Sequence, residues 1–458
     1  MSSAAKLGRL CLALPAVVYL LLPTRNFYWD GVAFSIAIEK QAGLRETLHP
    51  SHLLYIPAGV WLYGAVLALG LKIRALFLLQ AVNGVLAGAA VLLVHRALAR
   101  RGLSVAAAVA GTLCFAFAAT WWKFSTDANA YVPAILLILL ANDLVERRAN
   151  PLAAGAACCG AMLFHELAIL FVPVALLRFE RRRDAAAFAA TALAPAMLAY
   201  AVAFRIVSGS WNPLQVAAWA VSHSPDSAFS FDPLRDAGWS LLGTLRLFFG
   251  GKPGAVLGAA MAANSNFGTP AAGRRGRGTM WLWLAPYAAF LFFWMPQNTF
   301  YRLFYVAPLV ILAADRCRNA RVLTFLAGIL FLWNAAFFIV PDSRVAANPP
   351  LRCALAERPH WPAGVPIVFH TFHPDLWTIS YFNQQAAWIG FLDRDLPLLD
   401  RNLAAARSIG QPLWIEATAY DFLSRDQAGR EWLRQHENPS RNIDFRDRNR
   451  EFRFYAMR

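Results

Sequence analysis

Charge is the first thing this chain lacks. Only 15% of its 458 residues are charged, and acids are scarcer than bases, 27 against 43, for a net charge of +16. A soluble domain carries about 25% charge, so the composition argues against a wholly soluble chain of this size. Cysteine is also sparse: there are six, with no CxxC spacing. Cys11, Cys114, Cys158 and Cys159 sit inside apolar runs and Cys353 stands alone in the tail, which argues against a disulfide framework or a metal knuckle. Internal repeats and low-complexity segments are absent, which excludes a solenoid. No small-residue cleavage site follows the first apolar run (10–22), only "PTRNFYWD", so that run reads as a retained span.

What the chain does have is apolar length. It is 58% hydrophobic, and runs of 15–25 residues recur from 10 to 340; about 20 such residues span a bilayer. The bases fall between these runs, in Lys6/Arg9, "HRALARR" (95–101), "ERR" (146–148), "RFERRR" (178–183), "GRRGR" (273–277) and "DRCRNAR" (315–321). That is how cytoplasmic loops look under the positive-inside rule, and it turns a basic chain away from nucleic acid.

If every basic cluster is cytoplasmic, an even number of crossings separates each pair. Of the apolar segments 53–71 and 75–95, only one then crosses; Pro57, Lys72 and Arg74 make the earlier one surface-lying. Between the basic flanks of 152–178 the chain crosses twice with short arms, turning at "FHELA". The expected spans are 7–23, 75–95, 104–122, 130–146, 150–164, 167–179, 185–207, 238–260, 279–296, 301–314 and 321–340, eleven in all. An odd count leaves the N-terminus cytoplasmic and the C-terminus outside. The fold expected is a multi-pass α-helical membrane protein, with amphipathic helices in the first outer loop and a small C-terminal α/β domain. The domains are 1–340 and 341–458. In the latter, "VPIVFH" (365–370), "PLWIEA" (412–417) and the terminal "FRFYAMR" read as strands, between helical stretches at 402–408 and 425–435.

Under this topology the membrane-embedded polar residues gather on the outer side: Asp30, Glu39, Glu46, His49, His52, Lys72, Arg74, Lys123, Asp127, Asn129, His165, Glu166, His223, Asp226 and Arg302. A transporter more often buries charge at the midplane; a one-sided ring suggests an enzyme cavity open to the outside. Asp30 suits an N-cap of "GVAFSIAIEK" and also a general base in a desolvated pocket. Asp127 suits a cap for the span starting near Ala130 and also a second site acid beside Tyr131. His49 and His52 flank Pro50; hydrogen bonding or structure fits them better than metal ligation. His165 and Glu166 lie inside apolar sequence and need a cavity. Arg302 suits a phosphate or snorkelling, and Lys72 and Arg74 a lipid phosphate or a span flank.

In order and spacing, residues 7–340 resemble the GT-C superfamily of polyprenyl-phosphate-sugar-dependent glycosyltransferases, in the protein O-mannosyltransferase and lipid A aminoarabinose transferase branch. The resemblance rests on "YWDGVAFSIAIE", "LHPSHLLYIPAGVWLYGAVLALGL", "RALFLLQAVNGVLAGAAVLLVHRALARR", "TDANAYVPAILLIL" and "YRLFYVAPLVILAA". Many members carry two adjacent acids in the first loop. Here Gly31 follows Asp30, so no cofactor is assigned with certainty, and a divalent metal lacks the support of an adjacent acidic pair. The resemblance implies a bacterial inner-membrane enzyme that moves a sugar, with inversion, from a polyprenyl-phosphate donor to a lipid, glycan or protein acceptor outside the cytoplasm. Asp30 would be the base, Asp127 its partner, and Arg302, Lys72 or Arg74 the cations at the leaving phosphate. His49, His52, His165, Glu166 and Tyr131 would line the substrate cavity. The other classes open are a transporter or flippase of lipid-linked glycans and a non-catalytic membrane scaffold.

Overall fold

The structure, a computed structural model, describes residues 13–222, 229, 232–251, 274–391, 395–447 and 450–458. His223, Asp226, Cys11, Lys6, Arg9 and parts of the expected spans 7–23 and 238–260 lie outside the described residues. The chain divides into two compact units: Met1–Thr24 with Ala37–Pro341, and Arg25–Ile36 with Asp342–Arg458.

The first unit is helical. Among the described residues three helices are long and apolar enough to cross a membrane: Ala75–Arg100, Arg182–Ser208 and Ala320–Asp342. A fourth crossing results if the pair Val105–Ala116 and Ala119–Ser125, bent by 69°, is one span. Other expected spans form shorter helices, such as Tyr131–Glu146, Pro151–Phe164 and Leu303–Cys317. At about 1.5 Å per residue, 14–16 residues cover only about 21–24 Å, short of the roughly 30 Å hydrocarbon layer. The apolar segment 53–71 of the first outer loop forms a 14-residue helix, Tyr55–Ala68. Local signals set the helix ends. Ser104, Asn150 and Asn319 accept backbone N–H bonds as N-caps, and Gly209, at φ +78°, closes Arg182–Ser208.

Four basic clusters meet at one end of this unit. Arg100 pairs with Asp143 at 2.5 Å and with Glu146 at 2.8 Å, and Arg101 with Glu146 at 3.0 Å. Arg178 reaches Asn142 at 2.7 Å, and Arg318 donates to the Arg101 carbonyl at 3.0 Å. Glu146 ends the helix that Tyr131 begins, so the Asp127 loop lies about 24 Å away at the other end.

The second unit is a five-stranded mixed sheet: β1 (Pro366–His370), β2 (Ala387–Phe391), β3 (Leu413–Glu416), β4 (Ile443–Asp447) and β5 (Arg450–Met457). The order is β2-β1-β3-β5-β4, with β1 parallel to β2 and β3, and β5 antiparallel to β3 and β4. Strand alternation builds a core on each face. Ile367, Phe369, Trp414 and Phe454 pack with Cys353, Leu376 and Ile379, while Val368, Ile415 and Met457 pack with Leu399, Leu403 and Leu423. The early segment is tied to this unit through its backbone: the N–H groups of Arg25 and Asn26 donate to the Asp342 carbonyl, and Asn348 donates to that of Arg25.

Candidate functional site

In the first unit, buried amides on the helix Ala75–Arg100 shape the Asp127 loop. Asn83 donates to the Asp127 and Asn129 carbonyls at 2.7 and 3.0 Å, and Gln80 donates to that of Thr24 at 2.8 Å. Both amides sit in an apolar run, where an unpaired polar group is costly. The capping role considered for Asp127 belongs instead to Asn129, whose side-chain oxygen accepts from the N–H of Tyr131 and Val132, both at 3.1 Å. Asp127 is 1% exposed and pairs with Lys123 at 2.6 Å, one helical turn earlier.

Lys123 opens onto a cavity of about 360 Å³ lined also by Thr120, Arg246, Gly250, Thr299 and Phe300. Asn334 holds its wall together: it donates to the Phe117 and Phe248 carbonyls and accepts from Gly250 N–H. Arg302 is elsewhere. It is 2% exposed, donates to the Tyr305 hydroxyl and the Pro296 carbonyl, and lies so close to Gly243 that a Cβ there would meet its Nε at 2.4 Å. The cations at this cavity are thus Lys123 and Arg246, not Arg302. Arg246 carries no motif around it and was not legible from sequence.

Lys72 is exposed, and Arg74 is engaged by Glu39 at 2.9 Å, whose carboxylate also accepts the N–H of Ala75 at the start of the next helix. His49, His52, His165, Glu166 and Tyr131, by contrast, come together. The His52 ring lies 5.7 Å from that of His49 and 4.9 Å from that of His165, and the Tyr131 ring lies 4.7 Å from His165. Burial and the imidazoles of His52 and His49 hold the pKa of His165 well below the ordinary histidine value. Glu166 also lines an apolar groove of about 620 Å³ walled by Leu167, Met197, Trp211, Val216 and Phe290.

In the second unit, Asp30 lies in the first turn of the helix Trp29–Glu39 rather than at its N-cap. Burial pushes its pKa up to about 7, against a hydrogen bond from Tyr28. Asn26, Tyr28 and Trp29, just before it, line a polar pocket of about 380 Å³ with Asn348, Asp375 and Arg450.

No protein-family model matches the sequence, and no curated protein does. Solved structures do match. The crystal structure of ArnT from Cupriavidus metallidurans in the apo state aligns at a TM-score of 0.62 and 14% identity, over 99% of this chain and 98% of that one. This chain has the ArnT fold. The structure of ArnT bound to undecaprenyl phosphate aligns at 0.66 and 10% identity, over the same shares of both chains. The likeness to ArnT covers both units, including the sheet and the early segment that joins it.

Proposed function

We propose that the chain is an integral membrane glycosyltransferase that moves a sugar from a polyprenyl-phosphate donor to an acceptor outside the cytoplasm, with inversion. The observation that carries this is the end-to-end match to ArnT, a fold also solved with undecaprenyl phosphate bound. In this reading the membrane is the bacterial inner membrane, crossed eleven times, with the N-terminus cytoplasmic and residues 341–458 periplasmic.

Asp30 takes the acceptor's proton as its oxygen attacks the anomeric carbon. A carboxyl that titrates near neutrality is a far stronger base than an ordinary aspartate and is still ionised at working pH. A hydroxyl-rich acceptor head group would use the polar pocket beside Tyr28 and Trp29. As the bond to phosphate breaks, charge grows on the leaving oxygen; Lys123 and Arg246 stabilise it, and Asp127 aims Lys123. The apolar groove beside Glu166 suits the polyprenyl tail.

Purified protein offered a panel of polyprenyl-phosphate sugars should release polyprenyl phosphate and glycosylate an acceptor extract, and Asp30→Asn should not. Vesicle transport of the lipid-linked sugar with no new glycosidic bond would make the protein a flippase. Neither activity would leave a scaffold.

A further inference from the structure

We infer that His52, His165 and Glu166 form a binding site for a transition-metal dication, with Zn²⁺ the best match. The donor atoms these residues offer all lie within 4.8 Å of one another. Zinc bonds of about 2.0–2.2 Å in a tetrahedron set donors about 3.4 Å apart, so side-chain adjustments of about an ångström close the site. Sequence does not announce it: His52 lies 113 positions from His165, and the His49/His52 pair alone is interrupted by Pro50.

His52 is already oriented for ligation. His52 Nδ1 lies 3.2 Å from the Phe164 carbonyl. That acceptor fixes the proton on Nδ1 and presents the Nε2 lone pair, as second-shell carbonyls do for metal-binding histidines. His165 is 1% exposed, and its Nε2 has no hydrogen-bond partner among the described residues. Its Nδ1 accepts a long 3.2 Å bond from Leu167 N–H, which an ion could replace, and lies 3.6 Å from a Glu166 oxygen. Two imidazoles and a carboxylate select zinc, cobalt or copper over magnesium or calcium, and three protein ligands leave a fourth position for water.

The surroundings also favour an ion. Glu166 is half-buried and lines the 620 Å³ groove, so the site borders open space on that side. The backbone already joins the two segments the ion would link: Leu54 N–H donates to the Leu163 carbonyl at 2.8 Å. An ion here would tie the turn Pro50–His52 to the break between Pro151–Phe164 and the following helix, beneath Tyr131.

The test uses tag-free full-length protein in detergent, stripped with a chelator, loaded with Zn²⁺ or Co²⁺ and desalted. Elemental analysis should find about one ion per chain, and cobalt should give visible absorption from a low-symmetry N/O site. His52→Asn and Glu166→Gln should each lower the affinity at least tenfold. Glu166→Gln, at a half-buried carboxylate, covers the case in which a histidine variant fails to fold. Wild type that retains no zinc and shows no cobalt bands overturns the site, as do variants that hold zinc as tightly as wild type. The readout is metal content, so it stands or falls separately from glycosyl transfer.

Discussion

Asp30→Asn is the sharpest test of the chemistry, and the wild-type pH profile supplies its scale. With the carboxyl at about 7, about a tenth is ionised at pH 6, half at pH 7 and nine-tenths at pH 8. If Asp30 takes the acceptor's proton, kcat/KM for transfer should rise about tenfold from pH 6 to pH 8 and level off above. An unperturbed aspartate would give a flat profile over that range. General bases contribute about 10²–10⁴ in rate, so Asp30→Asn should lose at least a hundredfold, with the pH dependence gone from the residual rate. The sign also bears on stability. A carboxyl raised in the folded state binds more protons there than in the unfolded chain. Its ionisation therefore erodes stability as pH rises from 3.8 toward 7, and the Asn variant should unfold at the same temperature as wild type or above it at pH 8. The assay is transfer of label from a polyprenyl-phosphate sugar, beside thermal unfolding of the same samples. A flat profile from pH 5 to pH 8, or an Asn variant with a tenth of wild-type rate, refutes the assignment.

Lys123→Met and Arg246→Met should each raise the barrier by about 2–4 kcal/mol, read as a fall in kcat rather than a rise in KM, if they act on the leaving phosphate; unchanged kcat in both removes the cavity from the mechanism. Glu357 is 2% exposed, and burial raises it from 4.5 to about 8. Folded stability should therefore fall as pH rises from 4.5 to 8, by at most about 5 kcal/mol at 1.4 per pH unit, and Glu357→Gln should flatten that dependence in thermal scans. Asn334→Leu strands the Phe117 and Phe248 carbonyls and the Gly250 N–H, and should cost about 3 kcal/mol in denaturant unfolding. Gly243→Ala drives a Cβ to within 2.4 Å of Arg302 Nε and should cost about 1–3 kcal/mol by overpacking.

Loop charge and short apolar runs were legible because each is a local property that the environment acts on directly. A bilayer sorts basic loops residue by residue, and "VPIVFH" and "PLWIEA" are almost wholly apolar because β1 and β3 are interior strands with both faces buried. Strands β2 and β4 were not legible for the same reason. They are edge strands whose apolar side chains are few and only partly buried, Trp388, Ile443 and Phe445 against one core and Ile389 against the other, so neither stands out as an apolar run. Helix lengths also escaped the hydropathy reading, since buried and lipid-facing apolar residues look alike in sequence.

By itself, then, the sequence determined a membrane chain with a mixed C-terminal domain, a lone acid after the first apolar run, and polar residues too costly to lie in lipid. Only the tertiary structure decided what those residues meet. It gave the capping role to Asn129 and left Asp127 to Lys123. It put Arg302 against Tyr305 and placed Arg246 at the cavity. It brought His52 to His165 across 113 positions, and joined Arg25–Ile36 to Asp342–Arg458. Pairing across such separations follows from how helices pack, and no local window of sequence carries it.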